Sequence, residues 1–160
     1  MSVEIKKVSY AGWRNCYQIT NGKVEAVAVA DIGPRIIRCG FTGEENLLAE
    51  FQEDSGMCGG TDFRFYGGHR LWHSPEKRDR TYNPDNFQVQ VEEVSGGVVL
   101  KQEMEPNTGL VKEITVLLDE ESNHFTLQHR LTNLGVWEVS FAPWAISMMR
   151  PGGTTVIPQY

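Results

Sequence analysis

Residues 87–100 read FQVQVEEVSGGVVL, and this stretch decides the fold class. The apolar residues Phe87, Val89 and Val91 alternate with polar ones, which is the period of a half-buried β-strand. The Ser-Gly-Gly at 95–97 is typical of a tight turn, and the apolar alternation resumes directly after it. The stretch therefore predicts two antiparallel strands joined as a hairpin.

Strand patterns continue towards both ends of the chain. Residues 110–118 and 125–131 each place apolar side chains on one face, although Lys112 interrupts the first run. Asn21-Gly22 is the strongest short hairpin signal in the sequence. Further extended runs lie at 16–20, 23–30, 34–41 and 136–149. Because no helical periodicity separates these runs, we expect an all-β antiparallel sandwich or barrel formed by residues 1–160 as one domain.

Composition limits the classes of partner. The chain has 160 residues, a net charge of -6 and no run of basic residues, which argues against a nucleic-acid or anionic-membrane surface. No stretch approaches the ~18 consecutive apolar residues of a membrane helix. We therefore expect a soluble protein that binds neither nucleic acid nor membrane.

The cysteines indicate the compartment. Cys16, Cys39 and Cys58 are odd in number, far apart and without a CxxC spacing, so neither a disulfide framework nor a thiolate zinc site is expected. The N-terminal MSVEIKKVSY lacks the apolar core of a secretion signal. We expect a cytoplasmic protein with three buried or partly buried free thiols.

The longest segment without a clear strand pattern is residues 51–86. It exceeds the ~12 residues beyond which connections are uncommon, and such loops are either functional or disordered. Its aromatic content is too high for disorder, so we expect an ordered functional loop containing at most one short strand or helical turn around 61–72.

The centre of this loop, residues 59–76, reads GGTDFRFYGGHRLWHSPE. Paired glycines allow positive φ and a close approach of backbone to a ligand, or they simply make turns. Aromatic faces pack on the C–H face of a pyranose, while arginine, histidine and glutamate bond to hydroxyls. The candidate ligand-binding residues in the loop are Arg64, His69, Arg70, Trp72, His73 and Glu76.

Structural roles compete with each of these interpretations. Trp72 is also typical of a core anchor, and Arg70 could pair with Glu76 or Asp62 as a structural ion pair. His129 lies on an otherwise apolar strand face, where a hydrogen-bonded core histidine is usual.

Metal binding is the less favoured interpretation of the loop histidines. His69 and His73 have the spacing that would place both on one face of a helix. Pro75 and the preceding glycines leave little room for a helix, and a third ligand is not obvious. We expect no metal and no cofactor.

Three segments of the sequence form a recognisable set. The first is the double glycine Gly67-Gly68 followed by Trp72 and Pro75. The second is Asp31-Ile32-Gly33-Pro34-Arg35-Ile36 with Asn46-Leu47-Leu48. The third is Leu131-Thr132-Asn133-Leu134-Gly135 leading into Phe141-Ala142-Pro143-Trp144. In their order and spacing, the three segments together resemble the galactose-mutarotase-like (aldose 1-epimerase) superfamily, closest to its hexose-phosphate mutarotase branch.

The resemblance implies a large antiparallel sandwich with a sugar site in a groove on one sheet. In active members a histidine acid protonates the ring oxygen, and a glutamate base takes the proton of the anomeric hydroxyl. Carried over to this chain, Arg70 and His69 would contact the sugar and Trp72 would shape the pocket. Trp144 stands at or beside the position of the acid histidine, so the proton donor is missing, and Trp144 joins the candidate binding residues.

The glutamate base of the family comes from a later part of a longer chain. The resemblance therefore implies that residues 1–160 correspond to the N-terminal half of a sandwich, with an exposed sheet edge through which a homodimer could form. Three hypotheses follow: a mutarotase-like protein acting on a free or phosphorylated aldose, a non-catalytic sugar-binding module, and a structural or assembly domain without ligand.

Overall fold

The structure, a computed structural model, describes residues 2–158 and is built from β-strands. Within this range, no helix has the length and apolar character needed to cross a membrane. The ten strands are β1 (Glu4–Tyr10), β2 (Trp13–Thr20), β3 (Val24–Val29), β4 (Arg35–Phe41), β5 (His69–Ser74), β6 (Gln90–Val94), β7 (Gly97–Lys101), β8 (Leu110–Leu118), β9 (Phe125–Asn133) and β10 (Ala142–Ser147).

The strands form two antiparallel sheets, which confirms the predicted all-β class and sandwich architecture. The larger sheet has six strands in the order β1-β2-β3-β4-β5-β10, and the smaller has four in the order β6-β7-β8-β9. The predicted turns lie where expected, since Asn21-Gly22 lies between β2 and β3, and Ser95-Gly96 lies between β6 and β7, which begins at Gly97. The Asn21 side chain fixes the first turn by accepting hydrogen bonds from the N–H groups of Lys23 and Val24.

The main core lies between the facing sheets. Its buried residues come from alternate positions of the strands, so each strand turns one apolar face inward. Lys112 shares this inward face of β8 with Ile114 and Val116, and its buried ammonium pairs with Glu105. The interruption in the apolar pattern is therefore a buried ion pair rather than a break in the strand.

A second core covers the opposite, outer face of the larger sheet. Tyr66 packs against Trp13 at 5.8 Å between ring centroids, together with the buried side chains of β3 and β4. The Trp13 indole N–H donates to the carbonyl oxygen of Met57 (2.9 Å). Residues 51–68 are thus folded onto the sheet, in agreement with the expectation of an ordered segment.

Three local expectations need correction. The strand within residues 51–86 is His69–Ser74, which begins and ends later than the expected 61–72. The run 136–149 contains only the strand Ala142–Ser147, because the apolar residues that precede it are exposed and unpaired. Strand β1 was not predicted, since Lys6-Lys7 breaks its alternation and a register shift follows at Val8.

The cysteine expectation holds for two residues and is wrong for the third. All three thiols are free; Cys16 is buried and Cys39 is half-buried, but Cys58 is exposed. Cys58 lies on the surface segment next to the turn glycine Gly59, where no strand carries its side chain inward.

Exposed apolar side chains are concentrated near the end of the described chain. Strand β10 is an edge strand of the larger sheet. The exposed large apolar residues in this region are Leu134, Val136, Trp137, Val139, Met149, Val156 and Ile157. A homodimer through this edge stays a prediction.

The Lys112–Glu105 pair gives a test of the core. Lys112 Nζ lies 2.5 Å from Glu105 Oε1, and both side chains are 3% exposed. Glu105→Gln keeps the shape but leaves a buried ammonium without its counter-charge, so we expect urea unfolding at pH 7 to give a free energy lower by about 3 kcal/mol. Adding Lys112→Met to this variant should restore most of the loss.

The matched control is the solvated pair Arg130–Glu113 on the neighbouring strands. Its side chains are 72% and 16% exposed, and the charged atoms lie 3.5 Å apart. Arg130→Met should change the unfolding free energy by less than about 1 kcal/mol. If Glu105→Gln and Arg130→Met changed the unfolding free energy equally, the buried pair would be no more important to stability than the solvated one, which would contradict the prediction.

Candidate functional site

Strand β5 divides the predicted site residues between two faces. Leu71 belongs to the inner core, so its neighbours Arg70 and Trp72 point to the outer face of the sheet. His69 and His73 point inward with Leu71. The sequence placed all these side chains in one site, whereas the structure separates the histidines from Arg70 and Trp72.

The glycines before β5 serve close backbone packing. Gly67 and Gly68 have φ values of 95° and 72°, in the left-handed region. A Cβ at Gly67 would collide with the carbonyl oxygen of Ala49, and one at Gly68 with that of Ile36. The double glycine therefore fixes where β5 begins, and with it the face on which each later side chain lies.

On the outer face, one carboxylate lies between two arginines. Asp85 Oδ2 is 2.6 Å from Arg35 Nη2 and 3.2 Å from Arg70 Nη2, and all three side chains are buried. Burial alone would raise the pKa of Asp85, but the two guanidinium groups hold it below its usual value. Burial lowers the pKa of Arg70 to about 10. The partner of Arg70 is therefore Asp85, and neither Glu76 nor Asp62.

Four aromatic rings that pack on one another form what we call the aromatic cluster: Phe63, Trp72, Tyr82 and Trp144. Two of them, Phe63 and Trp72, lie against the guanidinium of Arg70. Trp72 is the centre of the cluster, with centroid distances of 5.1 Å to Tyr82, 5.4 Å to Trp144 and 6.0 Å to Phe63. Arg70 Cζ lies 4.5 Å from the Trp72 ring and 5.1 Å from that of Phe63. Only Trp72 is fully buried, so the other three rings offer surface to a ligand.

Several polar atoms under the cluster have no hydrogen-bond partner among the described residues. They are Nε and Nη1 of Arg70, Nε1 of Trp72, Oδ1 of Asp85 and Nε of Arg35. A buried donor left unsatisfied costs about 1–3 kcal/mol, so such atoms are uncommon in protein cores. These five atoms are four directional donors and one acceptor, and they lie beside a set of aromatic rings.

Glu76 lies at the rim of the cluster, and Arg64 lies apart from it. Glu76 accepts a hydrogen bond from the Tyr82 hydroxyl, and this bond raises the pKa of that hydroxyl. Arg64 Nη1 instead donates to the Gly59 carbonyl (2.7 Å) and the Tyr66 hydroxyl (3.2 Å). Arg64 thus links Gly59 to Tyr66 within the segment that is folded onto the outer face of the larger sheet.

On the inner face, His69 is hydrogen-bonded at both ring nitrogens. Its Nδ1 lies 2.7 Å from Ser147 Oγ on β10, and its Nε2 lies 2.7 Å from His129 Nε2 on β9. Burial, then His129 and Arg35, lowers the pKa of His69 to about 4. His73 lies roughly 13 Å further along the strand, so the two loop histidines cannot share one ion. His129 is a half-buried, hydrogen-bonded histidine, in agreement with the sequence interpretation.

A cavity of about 480 Å³ adjoins the buried carboxylate. The connecting segments 83–88 and 102–107 form most of its walls, Gly33 and residues 60–61 complete them, and Asp85 contributes both to this cavity and to the arginine pair. The exposed ring of Phe87 lies beside it. Its other polar lining residues include Asn83, Gln88, Gln102, Glu105 and Asn107. Sequence reasoning missed this cavity and Asp85, because their residues come together only through the packing of segments from different parts of the chain.

Comparison with protein-family models, with curated proteins and with solved structures found no match for this chain.

Because His69 is buried, we predict that the stability of the fold depends on pH. The pKa of His69 is about 4 in the folded chain against 6.5 for a free histidine, so the unfolded chain binds the proton first as the pH falls. His69 should make no pH-dependent contribution well above pH 6.5, and it should destabilise the fold by about 2 kcal/mol at pH 5. We expect the loss of unfolding free energy between pH 7.5 and pH 5 to shrink by that amount in His69→Gln, measured by urea titration.

The control for this experiment is His124→Gln, which changes an exposed histidine just before β9. It should leave the pH dependence as in the unmodified chain. If His69→Gln loses as much unfolding free energy between pH 7.5 and pH 5 as the unmodified chain, the buried imidazole does not cause the acid sensitivity.

Proposed function

We propose that this chain binds an aldose, free or phosphorylated, at the aromatic cluster over Arg70. The observation that carries the proposal is the set of unpartnered donors, Arg70 Nε and Nη1 and Trp72 Nε1, beneath three half-buried rings. Hydroxyl oxygens of a sugar can accept from these donors, while its C–H face packs on a ring.

Binding requires a small rearrangement of the cluster. The unpartnered atoms have almost no exposed surface, so a ring has to turn outward before a sugar reaches them. Tyr82 lies on the segment between β5 and β6, outside any strand, and its ring packs against Trp72 at 5.1 Å. Movement of Tyr82, with loss of its hydrogen bond to Glu76, would expose the Trp72 ring.

The resemblance to the galactose-mutarotase-like superfamily supports the same ligand class. Gly67-Gly68 and Trp72, which carry part of that resemblance, lie at the start and centre of the site. Trp144 lies directly opposite Trp72 in the register of β5 and β10. Both tryptophans of the resemblance therefore belong to one cluster.

A non-catalytic sugar-binding module is the second candidate, and Trp144 favours it. An indole cannot donate the proton that a histidine supplies in the family's reaction. On the rim of the cluster the acid–base groups are Glu76 and the Tyr82 hydroxyl, which are bonded to each other. If the chain does accelerate anomer exchange, this pair has to move the protons.

We expect saturable binding in an NMR titration with a panel of free and phosphorylated aldoses. Trp144→Ala should weaken binding about tenfold, equivalent to ~1.4 kcal/mol, because it removes one ring face. Trp137→Ala is the matched control, since Trp137 is 80% exposed and lies outside the cluster, and it should leave the affinity unchanged. No saturable binding by any sugar of the panel would refute the proposal.

Two further measurements locate the site and its chemistry. Phe87→Ala should not weaken binding. A loss of affinity in Phe87→Ala with none in Trp144→Ala would place the sugar in the cavity beside Asp85 instead. Exchange spectroscopy between α and β anomers then tests catalysis. Acceleration that Glu76→Gln abolishes while the affinity is retained would favour the mutarotase, and no acceleration would favour the binding module.

A further inference from the structure

Ser147, His69 and His129 form a hydrogen-bonded relay on the inner face. Ser147 Oγ lies 2.7 Å from Nδ1 of His69, and Nε2 of His69 lies 2.7 Å from Nε2 of His129. The three side chains come from β10, β5 and β9, and thus from both sheets. A serine hydroxyl bonded to an imidazole that a third group orients is the arrangement of an activated nucleophile.

The relay is accessible from its serine end. Ser147 is exposed, whereas His69 is only 6% exposed. Strand β10 is the last strand of the larger sheet, so one side of it is open. A reactant can therefore reach the hydroxyl without unfolding the relay.

A backbone donor lies beside the hydroxyl. The Met148 N–H donates to Gly68 O (2.9 Å), towards β5. Because N–H groups alternate along a strand, the Ser147 N–H points to the opposite, open side of β10. The N–H of the nucleophile itself is one of the donors that stabilise an oxyanion in serine hydrolases.

An apolar cavity of about 220 Å³ lies next to the relay, with His69 and Ser147 in its wall. Its other lining residues include Ala26, Ile36, Leu48, Val116, Leu127 and Met149. A cavity with this lining suits a short hydrocarbon chain and excludes a sugar or an anion.

We propose that Ser147 is the nucleophile of a second site, which hydrolyses esters of short apolar carboxylic acids. Ser147 Oγ attacks the ester carbonyl carbon while its proton passes to Nδ1 of His69. The tetrahedral intermediate collapses, the C–O bond to the alcohol breaks, and the departing oxygen takes the proton from His69. Water then attacks the acyl-serine with the same proton transfers, which releases the acid and restores the hydroxyl.

The relay holds its base in the required form. Burial, followed by His129 and Arg35, lowers the pKa of His69 to about 4, so the imidazole is neutral at pH 7 but is a weaker base than a free histidine, and we expect a slow esterase. For Nδ1 to accept the serine proton, Nε2 has to carry the ring hydrogen and donate it to His129. His129 is therefore a positioning residue, while Ser147 and His69 are the catalytic residues.

A fluorophosphonate probe, which phosphonylates activated serines, gives the direct test. We expect the folded chain to be labelled at Ser147, located by mass spectrometry, and the urea-unfolded chain to remain unlabelled. His69→Gln should slow labelling at least about a hundredfold, the usual contribution of a general base. Hydrolysis of p-nitrophenyl butyrate should be lost in Ser147→Ala and should exceed that of the acetate ester.

Control variants distinguish a catalytic role of these residues from a structural one, and the esterase site from the sugar site. Ser140→Ala, an exposed serine just before β10, should be labelled like the unmodified chain. His129→Gln, which keeps a hydrogen bond to His69, should retain more activity than His129→Leu, with the difference in kcat rather than KM. Ser147→Ala should leave sugar binding intact, since Trp72 and Arg70 lie on the other face. Absence of label at Ser147 in the folded chain, while a reference serine esterase in the same tube reacts, would overturn the proposal.

Discussion

The carboxylate of Asp85 between Arg35 and Arg70 is the interaction on which the outer face depends. It joins β4, β5 and the segment between β5 and β6, three parts of the chain that no hairpin connects. Arg35 extends the connection by donating to the carbonyl oxygens of Phe65 (2.9 Å) and Gly67 (2.6 Å). Without this carboxylate, two guanidinium groups would lie buried without a counter-charge, and one of them, that of Arg70, lies against the rings of Phe63 and Trp72.

Most of the buried charge lies near Asp85, while a separate pair, Glu25–Arg38, joins β3 to β4. The pair Lys112–Glu105 lies near enough to the arginine cluster for Lys112 to help keep the pKa of Asp85 low. Burial and then Lys112 also lower the pKa of His73. Buried ion pairs add little net stability compared with apolar packing, but they penalise any arrangement in which a partner is displaced. In this chain they fix the positions of connecting segments that have few apolar contacts of their own.

Much of the fold could be predicted because its signals are local. The alternation in residues 87–100 and 110–131 and the Asn21-Gly22 turn are each set by neighbouring residues, and the corresponding strands and turns form. The first of these strands begins only at Gln90, and Phe87, which the alternation placed on its apolar face, is exposed. Strand β5 was less evident, since HRLWHS carries large polar side chains on both faces and follows two glycines. Its flanks resemble a loop even though its centre is an almost fully buried strand.

The sites were harder to predict, for a physical reason. Arg70 and Trp72 could be chosen as candidates because their residue types suit a polyhydroxylated ligand, but their grouping depends on which face each side chain takes. Asp85 lies in an ordinary turn-like stretch, and its role arises only from contact with Arg35, 50 positions earlier. The contact between Ser147 and His69 spans 78 positions. Sequence alone carries no short-range signal for pairs of this kind.

The alternation along β5 has an evolutionary consequence. This strand of six residues directs histidines to one side of the larger sheet and Arg70 and Trp72 to the other. Insertion or deletion of one residue between Gly68 and Ser74 would exchange the two sets of side chains, placing a guanidinium in the apolar interior and imidazoles among the rings. This part of the chain can therefore diversify by replacement of individual residues, while a change of length by one residue would disrupt both faces at once.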